Sequence, residues 1–437
     1  MKRIYKKIHL QNTSEFKSKL FAWAQQFKEI TWLESNDYDQ KYSSYDAILA
    51  VEAYSFLEIS YKNAFAQLQN YRKKVNDYIF GYLSYDLKND IEDLTSQNIN
   101  GLDFPELYFF QPKKLFFIKD NITEIHYLKE FEGEIESDLE TIYNYDEMLK
   151  SNLPDGQEVQ HDVKIHKRIT KKEYLQQLET ILQHIHRGDI YEVNFCQEFY
   201  SENTSIDPFE VYKKLNEISK SPFATFFRND DKYLLSASPE RFVKRETNKI
   251  ISQPIKGTAK RLINKKLDKK IAEVLEKDEK ERSENIMIVD LVRNDLSKTA
   301  IKGSVKVEEL CKVYLFKQVH QLVSTVISEV LDKTDSVDII RSLFPMGSMT
   351  GAPKISAMQI IEELETTKRG MYSGAVGYFS PTNDFDFNVV IRSILYSQTN
   401  KYLSYSVGGA ITAKSDPEKE YQECLLKAIA MKQALKS

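Results

Sequence analysis

Short β-rich runs alternate with amphipathic helical stripes through the second half of the chain. That alternation confines it to an α/β or α+β architecture with large sheets. Thr170 stands ahead of a stripe of Tyr174, Leu175, Leu178, Ile181, Leu182 and Ile185, which predicts a capped helix with one apolar face. Tyr233–Ser236, Phe242–Arg245 and Lys249–Ile255 read as strands, and a long charged helix is expected over Lys266–Leu291. Gly374–Phe379, Phe387–Tyr396 and Tyr402–Val407 predict a β-meander, with a last helix starting at Asp416, Pro417 in its first position, and ending near Leu435. The first 150 or so residues mix helical periodicity (Phe16–Phe27) with strand-like runs (Ala47–Val51, Lys114–Ile118). Ser151–Arg168 is polar and reads as a linker. At 437 residues the chain is long for one core. The expected division is an N-terminal lobe over 1–150, a linker over 151–170 and a catalytic lobe over 171–437.

Charge and cysteine usage exclude several classes. A net charge of −4 offers no basic field for nucleic acid, and the runs Lys265–Lys270 and Lys164–Lys172 read as solvated faces. Cys196, Cys311 and Cys424 are odd in number, far apart and without CxxC spacing, which argues against a zinc site or a disulfide framework and fits a reducing cytoplasm. The start, MKRIYKKIHL, lacks a signal peptide's apolar core, and no run of roughly 18 apolar residues predicts a membrane span.

Five clusters could carry chemistry. In Gln253-Pro254-Ile255-Lys256-Gly257-Thr258 a strand ends in a lysine, a glycine and a hydroxyl; Lys256 is either an exposed strand-end lysine or a nucleophile whose pKa is lowered by burial. Glu240, in Ser238-Pro239-Glu240-Arg241-Phe242, is either a surface partner of Arg241 or a general acid in a turn. Glu281/Glu284 and Glu420/Glu423 are i,i+3 pairs, each on one helix face; oxygen-only ligands of this kind suit Mg²⁺, and ordinary surface charge is the alternative. Gly347-Ser348-Met349-Thr350-Gly351-Ala352-Pro353-Lys354 lacks phosphate-loop spacing but fits a loop feeding a helix at Pro353, with Ile355, Met358, Ile361 and Leu364 toward a core. Val407-Gly408-Gly409-Ala410 reads as a strand giving way to a turn open to a ligand, or as a bulge. Arg392, inside the strand Phe387–Tyr396, calls for a carboxylate partner from protein or ligand, and His320 sits in an apolar setting.

Taken together, GDIYEVNFCQEF (188–199), SASPERF (236–242), PIKGT (254–258), ENIMIVDLVRNDL (284–296), FPMGSMTGAPK (344–354), YSGAVGY (372–378) and EYQE (420–423) resemble the chorismate-utilising enzymes, from Tyr174 to about Leu435. WLES (32–35) and GYLSYDL (81–87) extend the resemblance to the first third. The resemblance implies an anthranilate synthase component I-like sandwich of two large sheets with outer helices, the site lying between the sheets. It implies Mg²⁺ at Glu284 and Glu423, supported by Glu281 and Glu420. It implies substrate contacts at Gly257, Thr258, Tyr372, Arg392, Gly408 and Gly409, with Ala410 departing from the usual glycine, and His320 near the ring. Glu240 matches the acid that protonates the departing 4-hydroxyl.

Lys256 within PIKGT points to the aminodeoxychorismate synthase component I type, since anthranilate synthases usually have alanine there. Glu192 stands where isochorismate and salicylate synthases usually carry a basic lysine, which disfavours water activation. The implied reaction is amination of chorismate at C4 through a covalent Lys256 intermediate. A separate glutamine amidotransferase subunit would supply ammonia, because no glutaminase cysteine motif is visible. Ser35 matches a region that binds tryptophan in relatives. The alternatives are anthranilate synthase component I and a non-catalytic, amino-acid-binding regulatory subunit.

Overall fold

The computed structural model describes residues 2–38, 41–60, 62–145, 163–316 and 319–436. The linker expected over 151–170 therefore lies largely outside the described residues. Its described end carries the short strand His166–Lys167, paired with Tyr200 and Phe199.

The strands are joined by antiparallel pairings, and the first third of the chain is woven into them. Glu29–Glu34 pairs with Phe223–Asn229, and Ile79–Leu83 pairs with Ala375–Phe379. Many strands are apolar on both faces because both are covered. Ala47, Leu49 and Val51 enter one apolar core, while Ile48 and Ala50 of the same strand enter another. This is why Ala47–Val51 is a continuous apolar run and not an alternating one. Tyr82 and Phe227 stand on strands that do not pair, yet their rings meet edge-on at 5.4 Å inside the second core. The first core receives the helices Thr13–Ala24, Lys171–Arg187 and Pro208–Ser219, and the second receives Glu279–Ser297 and Ser336–Leu343. The mixed α/β class expected from the sequence is the one observed.

Two helix starts follow their local chemistry. The Thr170 side chain accepts from the Glu173 amide while Glu173 reaches back to Thr170, a complete capping box. Asp416 accepts from the Lys419 amide ahead of Pro417.

Four expectations are corrected. The charged helix of Lys266–Leu291 is two helices, Lys265–Lys277 and Glu279–Ser297, because Asp278 is extended (ψ 115°) and caps the Glu281 amide. Phe387–Tyr396 is two strands, Phe385–Val389 and Ser393–Ser397, and Arg392 lies in the break with φ 52°. Val407–Ala410 is no turn: the strand Tyr402–Thr412 runs through it, paired residue for residue with Glu192–Ser201. In the helix Lys354–Leu364, Ala357, Met358, Ile360 and Ile361 are buried, whereas Ile355 is 48% exposed. Among the described residues no helix is long and apolar enough to cross a membrane.

Candidate active site

Pro254 separates the strand Lys249–Gln253 from Ile255–Lys260, which pairs with Val319–Glu329. The register shifts between Lys256 and Thr258, so Gly257 bulges, with φ 75°. The positive φ favours glycine, and a Cβ at Gly257 would crowd Glu281 Oε2 at 3.0 Å and Leu322 Cδ1 at 3.2 Å. Thr258, just after the bulge, is exposed.

The bulge sets Lys256 inward. Its Nζ lies 3.1 Å from Glu192 Oε1; the Glu192 side chain is buried and that of Lys256 is 11% exposed. Burial pulls the ammonium's pKa down, but Glu192, Glu284 and Glu240 outweigh it and leave the pKa above that of an ordinary lysine. The lowered pKa expected for Lys256 is thereby corrected: surrounding carboxylates, invisible in local sequence, reverse the sign. Glu240 is 5% exposed, and burial pushes its carboxyl up to about 7 against the pull of Ser348 and Lys256. Arg241 does not pair with it; that guanidinium is taken by Asp386 at 2.9 Å and Gln253 at 2.6 Å.

The acidic residues converge from two helices. Glu281 and Glu284 start one, and Glu420 and Glu423 lie on Pro417–Lys427. Glu284 is buried, its Oε1 accepts no hydrogen bond, and burial pushes it up to about 7. Burial and Glu423 raise Glu281 as well. At Glu423 burial is outweighed by Lys427, whose Nζ is 2.8 Å away, and the carboxyl is held low. Lys280 Nζ sits 3.4 Å from Glu420 Oε1 and 3.7 Å from Glu284 Oε1. Among the described residues no three His, Cys, Asp or Glu side chains are gathered closely enough, as they stand, to hold a metal ion. The set is an open, oxygen-only rim with one orphaned buried oxygen, a donor chemistry that suits a hard cation keeping water and ligand oxygens in its shell.

The glycine pair divides by strand alternation. A Cβ on Gly409 would face Lys427 Nζ at 3.4 Å, Glu420 Oε2 at 3.6 Å and Glu423 Oε1 at 3.9 Å. A Cβ on Gly408 would strike the Phe195 carbonyl and Cys196, so Gly408 serves close strand packing and offers its carbonyl to Lys427. Ala410, two residues on, shares the Gly408 side. Arg392 is placed by the strand break; its carbonyl accepts from the Ala237 amide, but its guanidinium makes no hydrogen bond or ion pair among the described residues. Burial lowers its pKa, and Tyr372 and Glu423 are the nearest groups that raise it. Tyr372 is buried with its hydroxyl 3.3 Å from Cys196 Sγ. His320 is fully buried, and its Nε2 lies 2.9 Å from Asp268 Oδ1. An ionised Asp268 only accepts, so Nε2 carries the proton and Nδ1, without a partner, faces inward.

Ser35 lies apart from this group. Its hydroxyl is buried without a partner and lines a solvent-open pocket with Glu34, Ser44, Phe223, Asp386 and Asn388. Lys280, Lys427 and Ser348 join the site without having been singled out for a role from sequence, and Glu192, read there only as standing in place of a lysine, becomes the partner of Lys256. The adjacency of Lys280 to Glu281 and the four-residue step from Glu423 to Lys427 were the available signals.

The family profile described as chorismate binding enzyme matches residues 16–433. The chain belongs to the chorismate binding enzyme family. Within that family it is 42% identical over 255 residues to aminodeoxychorismate synthase component 1 of Salmonella typhimurium, a match covering 58% of this chain and 56% of that protein. It is 34% identical over 363 residues to the Bacillus subtilis protein of the same name (81% and 76% covered). It is 32% identical over 364 residues to anthranilate synthase component 1 of Thermus thermophilus (82% and 78%). The alignment spans little more than half the length of the Salmonella relative. Among solved structures, anthranilate synthase component I from Streptococcus pneumoniae superposes with a TM-score of 0.75 at 25% identity, covering 90% of this chain and 93% of that one. The menaquinone-specific isochorismate synthase of Escherichia coli, at 18% identity and a TM-score of 0.76 over 100% and 94%, shares the fold.

Proposed function

We propose that the protein aminates chorismate at C4 with ammonia, giving 4-amino-4-deoxychorismate, a precursor of 4-aminobenzoate and folate. The observation that carries this reading is the buried group of Lys256, Glu192 and Glu240: an amine, a carboxylate 3.1 Å from it, and a carboxyl group pushed up to about 7. A nucleophile and a half-protonated acid in one water-poor pocket suit substitution of a hydroxyl better than simple binding.

The steps follow from those groups. The Lys256 ammonium gives a proton to Glu192, the nearest acceptor. The freed amine attacks C2, both ring double bonds shift together (C1=C2 to C1=C6, C5=C6 to C4=C5), and the C4–O bond breaks as Glu240 donates its proton, releasing water. Ammonia then adds at C4, both double bonds shift back, and the C2–N bond to Lys256 breaks. The proton that the new ammonium group loses restores Glu240, and that held by Glu192 returns to Lys256. Dividing one hard substitution into two easier ones is the gain of covalent catalysis.

Arg392, with no ion partner of its own, the Gly257 bulge and the Gly409 backbone are suited to the substrate's carboxylates. Glu284 and Glu423 would hold Mg²⁺, with Glu281 and Glu420 supporting. When bound there, the metal supplies positive charge against the ring carboxylate. Ammonia would come from a separate glutamine amidotransferase; the "component 1" of the relatives' names supports a partner component. The pocket at Ser35, with its unpartnered buried hydroxyl, is the candidate place for an amino-acid ligand, tryptophan being the one the resemblance suggests.

The likeness to the Thermus anthranilate synthase component 1 favours one second reading, aromatisation to anthranilate. Mass spectrometry of the product from chorismate, ammonium and Mg²⁺ separates the two. The expected product is 4-amino-4-deoxychorismate; fluorescent anthranilate would replace this reading with the second.

A further inference from the structure

The acidic rim already holds cations of the chain's own, and they are not equivalent. Lys427 is anchored, donating to Glu423 Oε1 and to the Gly408 carbonyl, both at 2.8 Å. Lys280 is not. It is in the first turn of the helix Glu279–Ser297, and its Nζ reaches across to the other acidic helix, 3.4 Å from Glu420 Oε1, while staying 3.7 Å from Glu284 Oε1. Both distances exceed the roughly 2.7–2.9 Å of a strong charge-assisted hydrogen bond. Its side chain is 41% exposed, so water is within reach of a small rotation, whereas Glu284 and Glu420 are 11% and 5% exposed and cannot leave. A part-exposed, loosely held ammonium thus stands between two nearly buried carboxylates, one of whose oxygens accepts no hydrogen bond.

We propose that Lys280 is a displaceable internal counter-ion. It holds Glu284 and Glu420 in place when no divalent cation is bound, and it swings to solvent when Mg²⁺ takes the same oxygens. Lys280 is a positioning residue in this scheme, acting through the two carboxylates and touching no reacting atom. No bond is made or broken; a dication replaces a monocation that is tethered by a flexible four-carbon stem. The inference rests on the Mg²⁺ reading above.

The test is calorimetric titration of the full chain with Mg²⁺ alone, without chorismate, comparing wild type, Lys280→Met and Lys280→Arg. Removing the competitor is expected to tighten Mg²⁺ binding by about tenfold in Lys280→Met, while Lys280→Arg, which keeps the charge, stays near wild type. Equal or weaker binding by Lys280→Met overturns the inference alone. Absence of Mg²⁺ binding in all three proteins overturns the metal reading and the inference with it. A second measurement needs no variant. Acetic anhydride labelling of Lys280 in the wild-type protein, followed by peptide mass spectrometry, should accelerate at saturating Mg²⁺; an unchanged or slower rate contradicts displacement.

Discussion

The Lys256 corner and the acidic rim are both built from lysines and glutamates, yet their charges are arranged oppositely. In the corner, Lys256 meets Glu192 at 3.1 Å and Glu240 is pushed up to about 7, so the charges nearly cancel within the pocket. At the rim, Glu281, Glu284, Glu420 and Glu423 face Lys280 and Lys427, and Glu284 is itself pushed up to about 7. The corner is complete as folded and can move protons among its own members. The rim has four carboxylates against two lysines and, on the proposed reading, would take up a cation. Burial raises the carboxyl pKa in both; what differs is whether the neutralising partner belongs to the chain.

That contrast can be broken most sharply at Lys256. Lys256→Ala should lower amination more than about 10³-fold, since the covalent route disappears, and steady-state assay with saturating ammonium measures it. Glu240→Gln keeps the shape but loses the transferable proton, and a loss of about 10²–10⁴-fold is expected. The wild-type rate should also fall as pH rises through about 7, where Glu240 loses its proton. A variant rate with an unaltered alkaline limb would assign that limb elsewhere.

Gly257→Ala joins the two regions. It forces an L side chain onto φ 75° and toward Glu281, so a stability loss of about 1–3 kcal/mol is expected, with weaker Mg²⁺ binding, both readable by denaturation with and without the metal. An effect of similar size concerns stability and pH. Glu240 has a folded pKa above its unfolded one, so the folded state holds the extra proton and wild-type stability declines as pH rises from roughly 4.5 to 7. Glu240→Gln has no such decline and should be the more stable protein at pH 8, by about 1–3 kcal/mol. Equal pH dependence in both proteins would place the Glu240 pKa near its ordinary value.

Local signals in the sequence were legible wherever local chemistry decides. The Thr170–Glu173 capping box and the Asp416–Pro417 helix start are written in three or four adjacent residues, and both are present in the fold. The same rule should have divided Lys266–Leu291, for Asp278 ahead of Glu281 is an N-cap signal that charge periodicity masked. Arg392 was misplaced for a different reason. Its position depends on Val389 and Val390 bonding to Glu240 and Gly374 instead of continuing the ladder, contacts that no window of sequence contains. The glycine pair needed the register as well: only pairing with Glu192–Ser201 shows that Gly409 faces the carboxylates and Gly408 the neighbouring strand. The direction of the Lys256 pKa shift was hidden most deeply. It depends on Glu192, 64 residues away, and on Glu240 and Glu284, so burial could be foreseen but not the charge that outweighs it.

The central claim is that Lys256 becomes covalently joined to the substrate on the way to C4 amination. Rapid-quench peptide mass spectrometry of the protein mixed with chorismate and Mg²⁺, with ammonium withheld and then added, tests it most directly. The expected result is a substrate-derived mass on the peptide containing Lys256, lost as 4-amino-4-deoxychorismate appears and never formed in Lys256→Ala. Amination at the wild-type rate by Lys256→Ala, with no adduct in either protein, would contradict it.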